Sequence, residues 1–272
     1  MSRMKSSEKG PRKGRLRTKM VRRLSGSLAL LFALTTLGLV YVALSPTPQT
    51  AVAADVSAEQ VAAGAQLYAN SCITCHGSNL QGVEDRGPSL IGTGQAATYF
   101  QVSTGRMPLA DHGAQAPRKE PFFNPEEVDQ LAAYVQANGG GPVVPDGELQ
   151  NTDALALGGE MYRLNCASCH NFTGQGGALS QGKYAPNLDP ATDEQIYSAM
   201  LSGPENMPKF SDGQITPEEK TAIIAFIQNN KQSIDPGGAP LGGFGPAPEG
   251  LIAFVVGMSA IVAFTLWMGS RA

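Results

Sequence analysis

The chain has 272 residues and a formal net charge of −3, with four cysteines and three histidines. That small charge hides an asymmetry: residues 1–23 hold ten of the twenty Lys and Arg residues and one acid, Glu8, whereas residues 45–250 hold 9 basic against 22 acidic side chains, a net of −13. An acidic body argues against a nucleic-acid partner, which requires a basic footprint, and suits docking against a protein with a basic face.

In chain order, residues 1–23 form a basic arm. Residues 24–44 follow with no charged side chain, and a helix needs about 20 apolar residues to cross a bilayer core. The basic flank sets the arm on the cytoplasmic side by the positive-inside rule. The length of the segment fits an uncleaved transmembrane anchor. Ala51-Val52-Ala53 just downstream fits a signal-peptidase site, so both readings stand. Either way, the remainder is exported.

A Pro/Thr/Ala linker spans residues 45–55. Ser57 with Gln60 then makes a capping-box pattern. Val61, Gly64, Ala65 and Tyr68 recur at helical spacing, and this helix runs into Cys72-Ile73-Thr74-Cys75-His76. C-x-x-C-H is the attachment signature of a c-type haem. Each thiol adds across a haem vinyl group to form a thioether, and the histidine is placed to ligate the iron. The motif returns as Cys166-Ala167-Ser168-Cys169-His170, so the two copies use all four cysteines and two of the three histidines. They imply two covalently bound haem c groups. Two disulfides, a zinc site or a redox CxxC pair are the alternatives for the cysteines. The histidine directly after each pair, and the duplication of the whole unit, favour haem.

The motif's surroundings repeat with it. Pro88 and Leu90 stand in a Gly-rich loop, a short helix is expected near residues 96–103, and Gly105-Arg106-Met107-Pro108 follows. Residues 110–123 read as loop. Asn124-Pro125-Glu126-Glu127 is a helix start, with a capping Asn, Pro in the first turn and acids at the positive helix end. Val128, Leu131, Tyr134 and Val135 give that helix an apolar face, and Gly139-Gly140-Gly141-Pro142 ends it. Beyond a Gly/Pro/Asp linker, Gly64 and Tyr68 return as Gly158 and Tyr162, offset by the 94 residues that separate the two motifs. Pro88 and Leu90 return as Pro186 and Leu188, Tyr99 and Gly105 as Tyr197 and Gly203, and Met107-Pro108 as Met207-Pro208. The final helix start returns as Thr216-Pro217-Glu218-Glu219. Leu131, Tyr134 and Val135 become Ile223, Phe226 and Ile227. The offset drifts between 92 and 100, as expected when loops change length and helices do not.

The repeat nominates Met107 and Met207 as the second axial ligands of the two irons. A thioether opposite an imidazole raises the haem potential and closes the iron to small ligands. Met161 and Met200 compete but have no methionine at the matching position of the other repeat. His112 offers a bis-histidine alternative in the first repeat only. The carbonyls of Pro88 and Pro186 are candidates to accept the other N–H of His76 and His170, which fixes a ligating imidazole. Leu90 and Leu188 are expected against the haem face. Gly64 and Gly158 would allow the first and last helices of each repeat to cross closely under Tyr134 and Phe226.

The expected organisation is a basic arm at 1–23, a transmembrane or signal segment at 24–44, a haem domain at 55–138, a linker at 139–152, a second haem domain at 153–232, a Gly/Pro linker at 233–250 and a transmembrane helix at 251–268. Trp267 sits near the end of that last helix, as interfacial aromatics do, and Arg271 follows it.

Each half resembles a cytochrome c domain: helix, CxxCH, Pro-x-Leu, Met-Pro, final helix. The fold class expected is therefore mainly α, with two tandem class I cytochrome c domains, a C-terminal transmembrane helix and an N-terminal hydrophobic segment. With its basic arm, hydrophobic segment, paired domains and C-terminal anchor, the whole chain is similar to the dihaem cytochrome c subunit of the actinobacterial cytochrome bcc complex. That resemblance implies a cell-membrane complex with a cytochrome b subunit and a Rieske iron–sulfur subunit, oxidising menaquinol. It also implies electron delivery to a cytochrome c oxidase, with the first haem facing the Rieske subunit and the second the oxidase. Two other functions stand beside it: a dihaem enzyme such as a peroxidase or sulfur-compound oxidase, which needs an open iron position, and a membrane-tethered shuttle outside any complex.

Overall fold

Helix α1 (Lys13–Leu44) opens the computed structural model, which describes residues 13–44, 57–111, 113–232, 241 and 246–271. The linker at 45–55, the Ala51-Val52-Ala53 motif, His112 and most of residues 233–250 lie outside the described residues. The helix begins at Lys13, inside the basic arm, so the backbone turn continues from the arm into the apolar segment.

The first repeat starts at α2 (Ala58–Ser71), whose N-terminus carries both halves of the Ser57/Gln60 capping box. A single turn, α3 (Ile73–His76), holds the first CxxCH motif. Next come α4 (Gly94–Ser103) and α5 (Pro125–Gly139). In α5 the Asn124 side chain accepts from Glu127 N at 3.0 Å while Glu127 Oε2 accepts from Asn124 N at 3.0 Å. Helices α2 and α5 cross at Gly64, where an added Cβ would stand 2.0 Å from the Gln130 carbonyl oxygen. Only a residue without a side chain allows that approach. The core around the crossing is Tyr68, Leu80, Val102, Phe123, Val128, Leu131 and Val135, and each large apolar side chain fully buried there contributes about 1.5–3 kcal/mol.

The second repeat is built the same way from α6 (Leu155–Asn165), α7 (Ala167–His170), α8 (Asp193–Ser202) and α9 (Pro217–Gln232). Gly158 takes the place of Gly64, with an added Cβ 2.0 Å from the Ala222 carbonyl oxygen. The second repeat is longer between the motif and the Pro-x-Leu loop. His76 and Pro88 are 12 residues apart, but His170 and Pro186 are 16 apart. The extra residues form a two-stranded antiparallel hairpin, β1 (Gly177–Ala178) with β2 (Tyr184–Ala185).

The two repeats share packing. Helix α4 lies against α8, and Ala96 of α4 belongs to the same buried cluster as Ile196, Tyr197 and Met200 of α8. The segment read as a spacer between them is folded onto this seam: Val144 is buried in that cluster, and the Pro142 carbonyl accepts from Ala96 N at 3.1 Å. Gly94, at a φ of +77°, packs its backbone against Pro142 and Gly141.

Helix α10 (Pro246–Gly269) ends the described chain. It starts within the stretch read as Gly/Pro linker, because Pro246 and Pro248 both fall in the first turn, where no intrahelical N–H donor is needed. Residues Ala247–Gly269 have a mean hydropathy of 2.3 with none of that surface buried. A helix of that length, exposed and uncharged after Glu249 in its first turn, is stable in a bilayer core rather than in water. The Arg271 guanidinium lies 4.6 Å from the Trp267 ring centroid, a pairing suited to the membrane–water boundary.

Candidate functional site

Both CxxCH motifs sit at the end of a helix and are held there by the same device. In the first repeat the Tyr68 hydroxyl donates to the Gly77 carbonyl at 2.7 Å; in the second, Tyr162 donates to the Asn171 carbonyl at 2.7 Å. Gly77 and Asn171 end the one-turn helices α3 and α7 at φ of +77° and +68°. Glycine takes that conformation freely, and asparagine is one of the few other residues that tolerate it. The rings of Tyr68 and Tyr134 stand 5.0 Å apart, and those of Tyr162 and Phe226 5.4 Å apart. Each motif is thereby tied to its crossing of first and last helices.

His76 Nδ1 donates to the Pro88 carbonyl at 2.8 Å, and His170 Nδ1 donates to the Pro186 carbonyl at 3.1 Å. A carbonyl can only accept, so each imidazole carries its proton on Nδ1 and keeps the lone pair on Nε2. Burial lowers the His170 pKa, and its bond to Pro186 acts in the opposite direction. The neutral imidazole is the form that binds a metal.

The cysteines are free thiols in partly buried settings, Cys169 being the exposed one. Burial, with the neighbouring Cys75, pushes the Cys72 thiol up to about 11; burial, with Cys169, pushes Cys166 up to about 12. Among the described residues no three His, Cys, Asp or Glu side chains converge to hold a bare metal ion.

Cys72, Leu90 and Met107 all pack against the first core, and Cys166, Leu188 and Met207 all pack against the second. In the second repeat Cys166, Cys169, His170, Pro186, Leu188 and Met207 line one cleft. Its other walls include Ile196, Ile223 and Ile227. A large apolar cleft with two thiols, an imidazole with a free Nε2 and a thioether on its walls fits a covalently attached haem. Of the competing methionines, Met200 lines the same cleft but is buried at 2% exposure as part of the core, and Met161 packs beside that core without lining the cleft.

Sequence pattern had not marked four residues of the first repeat that also line the second cleft: Phe100, Arg106, Gln115 and Arg118. The loop at 110–123 reaches across to do this. The Gln115 side-chain amide donates to the Tyr184 carbonyl at 2.9 Å and accepts from Tyr184 N at 2.9 Å, continuing the pairing of β2. Arg118 donates to Gln195 Oε1 at 3.1 Å and to the Pro190 carbonyl at 3.0 Å. Ala116 N donates to Glu205 Oε1 at 3.1 Å. Comparing one repeat with the other could not reveal these contacts, because they join unlike parts of the two halves.

Comparison with known proteins agrees with both repeats. Residues 61–138 match the family described as cytochrome c, and residues 153–227 match the family described as cytochrome c oxidase, cbb3-type, subunit III. Both halves are thus cytochrome c domains, and the chain binds haem c. The cytochrome bc1 complex cytochrome c subunit of Mycobacterium tuberculosis is 55% identical over 269 residues, covering 96% of each chain. The protein of the same name from Mycobacterium leprae is 55% identical over 256 residues, covering 91% of this chain and 88% of that one. Its namesake from Corynebacterium efficiens is 48% identical over 282 residues, covering 97% and 95%.

Proposed function

The chain belongs to the family of cytochrome bc1 complex cytochrome c subunits, and on that premise we propose that it relays electrons, one at a time, from a Rieske iron–sulfur subunit to a cytochrome c oxidase. It does so as the dihaem subunit of a quinol–cytochrome c reductase that also contains a cytochrome b subunit. The observation that carries the reading is the paired construction of the sites: both repeats join a CxxCH histidine to a proline carbonyl and bring a methionine to the same core as the motif.

In this reading Cys72 and Cys75 would hold one haem c, with His76 and Met107 as the side chains that would ligate its iron. Cys166 and Cys169 would hold the other, with His170 and Met207. Each haem, when bound, supplies a reversible one-electron couple at its iron. The protein residues set the conditions for that couple. Pro88 and Pro186 fix the two imidazoles in one orientation and strengthen them as ligands. Met107 and Met207 would supply thioether sulfurs to the irons and so favour the reduced state. Leu90 and Leu188 help exclude water, which lowers the local dielectric and the rearrangement that accompanies a change of charge. A site closed on both sides exchanges electrons without binding a substrate, which is why the relay is favoured over a peroxidase-like enzyme.

Helix α10 anchors the chain in the membrane, and the N-terminal basic arm lies on the cytoplasmic side. The two haem domains then lie on the outer face of the cell membrane. Their acidic surface suits docking to basic faces of the donor and acceptor. Purification of the full-length protein from membranes in mild detergent tests the assignment. Recovery with b-type haem and an iron–sulfur subunit is expected. A protein recovered alone, with its haem c complete, would instead identify a tethered shuttle.

A further inference from the structure

The second cleft holds two guanidinium groups, both from the first repeat, and they are not equivalent. Both N–H faces of Arg118 are used, one on Gln195 and one on the Pro190 carbonyl. Arg106 is 5% exposed, its guanidinium lies 4.9 Å from the Phe100 ring centroid, and its Nη1 is buried with no hydrogen-bond partner. Among the described residues no carboxylate forms an ion pair with it; Glu205, whose charge acts on it without contact, accepts from Ala116 N. A buried cation with an unused donor, on the wall of an apolar cleft, is strongly unfavourable unless an anion arrives to meet it. The group that this cleft is built to receive has anions of its own: a haem is apolar except for its two propionate carboxylates.

We propose that Arg106 of the first repeat binds a propionate of the haem held by the second repeat, so that one domain completes the cofactor site of the other. This rests on the reading that Cys166, Cys169, His170 and Met207 hold a haem. The contact is charge-assisted, and the guanidinium fork matches a carboxylate. It also ties the two repeats together at the seam where Gln115 pairs with Tyr184. A cation held beside a haem favours the form with the extra electron, so Arg106 raises the potential of the second haem. Arg106 directly precedes Met107 in the chain, so the residue that supplies a ligand of one haem is adjacent to the residue that neutralises the other.

A redox titration of the full-length holoprotein, followed in the visible spectrum, tests this. Two one-electron steps are expected, and Met207→His identifies the second-haem step as the one it displaces. Arg106→Gln is expected to lower that step by about 59 mV, a tenfold change in its reduced-to-oxidised ratio for a one-electron couple, and to leave the other step in place. Arg106→Lys keeps the charge but loses the fork, so a smaller shift in the same direction is expected, and it probes the same contact if the Gln variant does not fold. Arg118→Gln, which removes the same charge from a guanidinium already satisfied by protein, is expected to move the step less than Arg106→Gln does. An unmoved second step in Arg106→Gln, or a shift confined to the first step, would overturn the proposal. Failure of Met207→His to displace either step would overturn the ligand assignment beneath it, a separate result.

Discussion

The two haem domains share a scaffold and differ at their edges. Both use a glycine crossing, a tyrosine hydroxyl that holds the turn after CxxCH, and a proline carbonyl that orients the histidine. What varies is the loop between His and Pro, which carries a two-stranded hairpin in the second domain and a single antiparallel bridge of Val83 with Gly87 in the first, and the polarity of the last helix. The position of Val128 in α5 is taken in α9 by Lys220, fully buried, 2.5 Å from Asp212 and with its Nζ 5.7 Å from the Tyr197 ring centroid. The shared features are those needed to hold a haem. The differing ones lie in the loop that meets Gln115 of the other domain and in the buried pair of the last helix, so asymmetry between the two domains arises there.

Substitutions can break or sharpen that comparison. The largest effect is expected from Gly64→Ala and Gly158→Ala, since each new Cβ would meet a backbone carbonyl at 2.0 Å. Each should destabilise its domain by about 1–3 kcal/mol or more, measured by denaturant unfolding of the holoprotein. A large loss in one domain and none in the other would refute the common scaffold. Next comes Asp212→Asn, which leaves the buried Lys220 ammonium without its counter-charge and should cost about 1–3 kcal/mol. Lys220→Met, which copies the apolar character of the first domain, should be neutral or stabilising in the same assay. Tyr68→Phe and Tyr162→Phe each remove one hydroxyl hydrogen bond and should cost about 1 kcal/mol apiece. Unequal costs would mean that one motif relies less on its tyrosine. The smallest effect is expected from Gln115→Ala, which removes two exposed hydrogen bonds to Tyr184. It should cost about 0.5–1 kcal/mol and perturb the second haem's spectrum while sparing the first.

Much of this was legible in the sequence because it is local or because it repeats. Capping at Ser57 and Asn124 depends on residues three apart. The glycine crossings and the His–Pro hydrogen bonds emerged because the chain writes each of them twice. The packing between domains was not legible for the converse reason. Gln115, Arg118 and Arg106 reach parts of the second domain that have no counterpart in the first, and Val144 lies in a segment whose Gly/Pro content reads as a spacer. Composition reports that a segment can bend; it does not report what the segment bends onto. The start of α10 was hidden similarly, since Pro246 and Pro248 read as helix breakers but stand in the one turn where proline is tolerated.

The central claim is that one chain carries two haems, each closed by a histidine and a methionine. Electron paramagnetic resonance of the oxidised full-length protein, with spins counted per chain, tests it most directly. Two low-spin ferric centres per chain are expected. A high-spin centre, or a single centre per chain, would contradict the account.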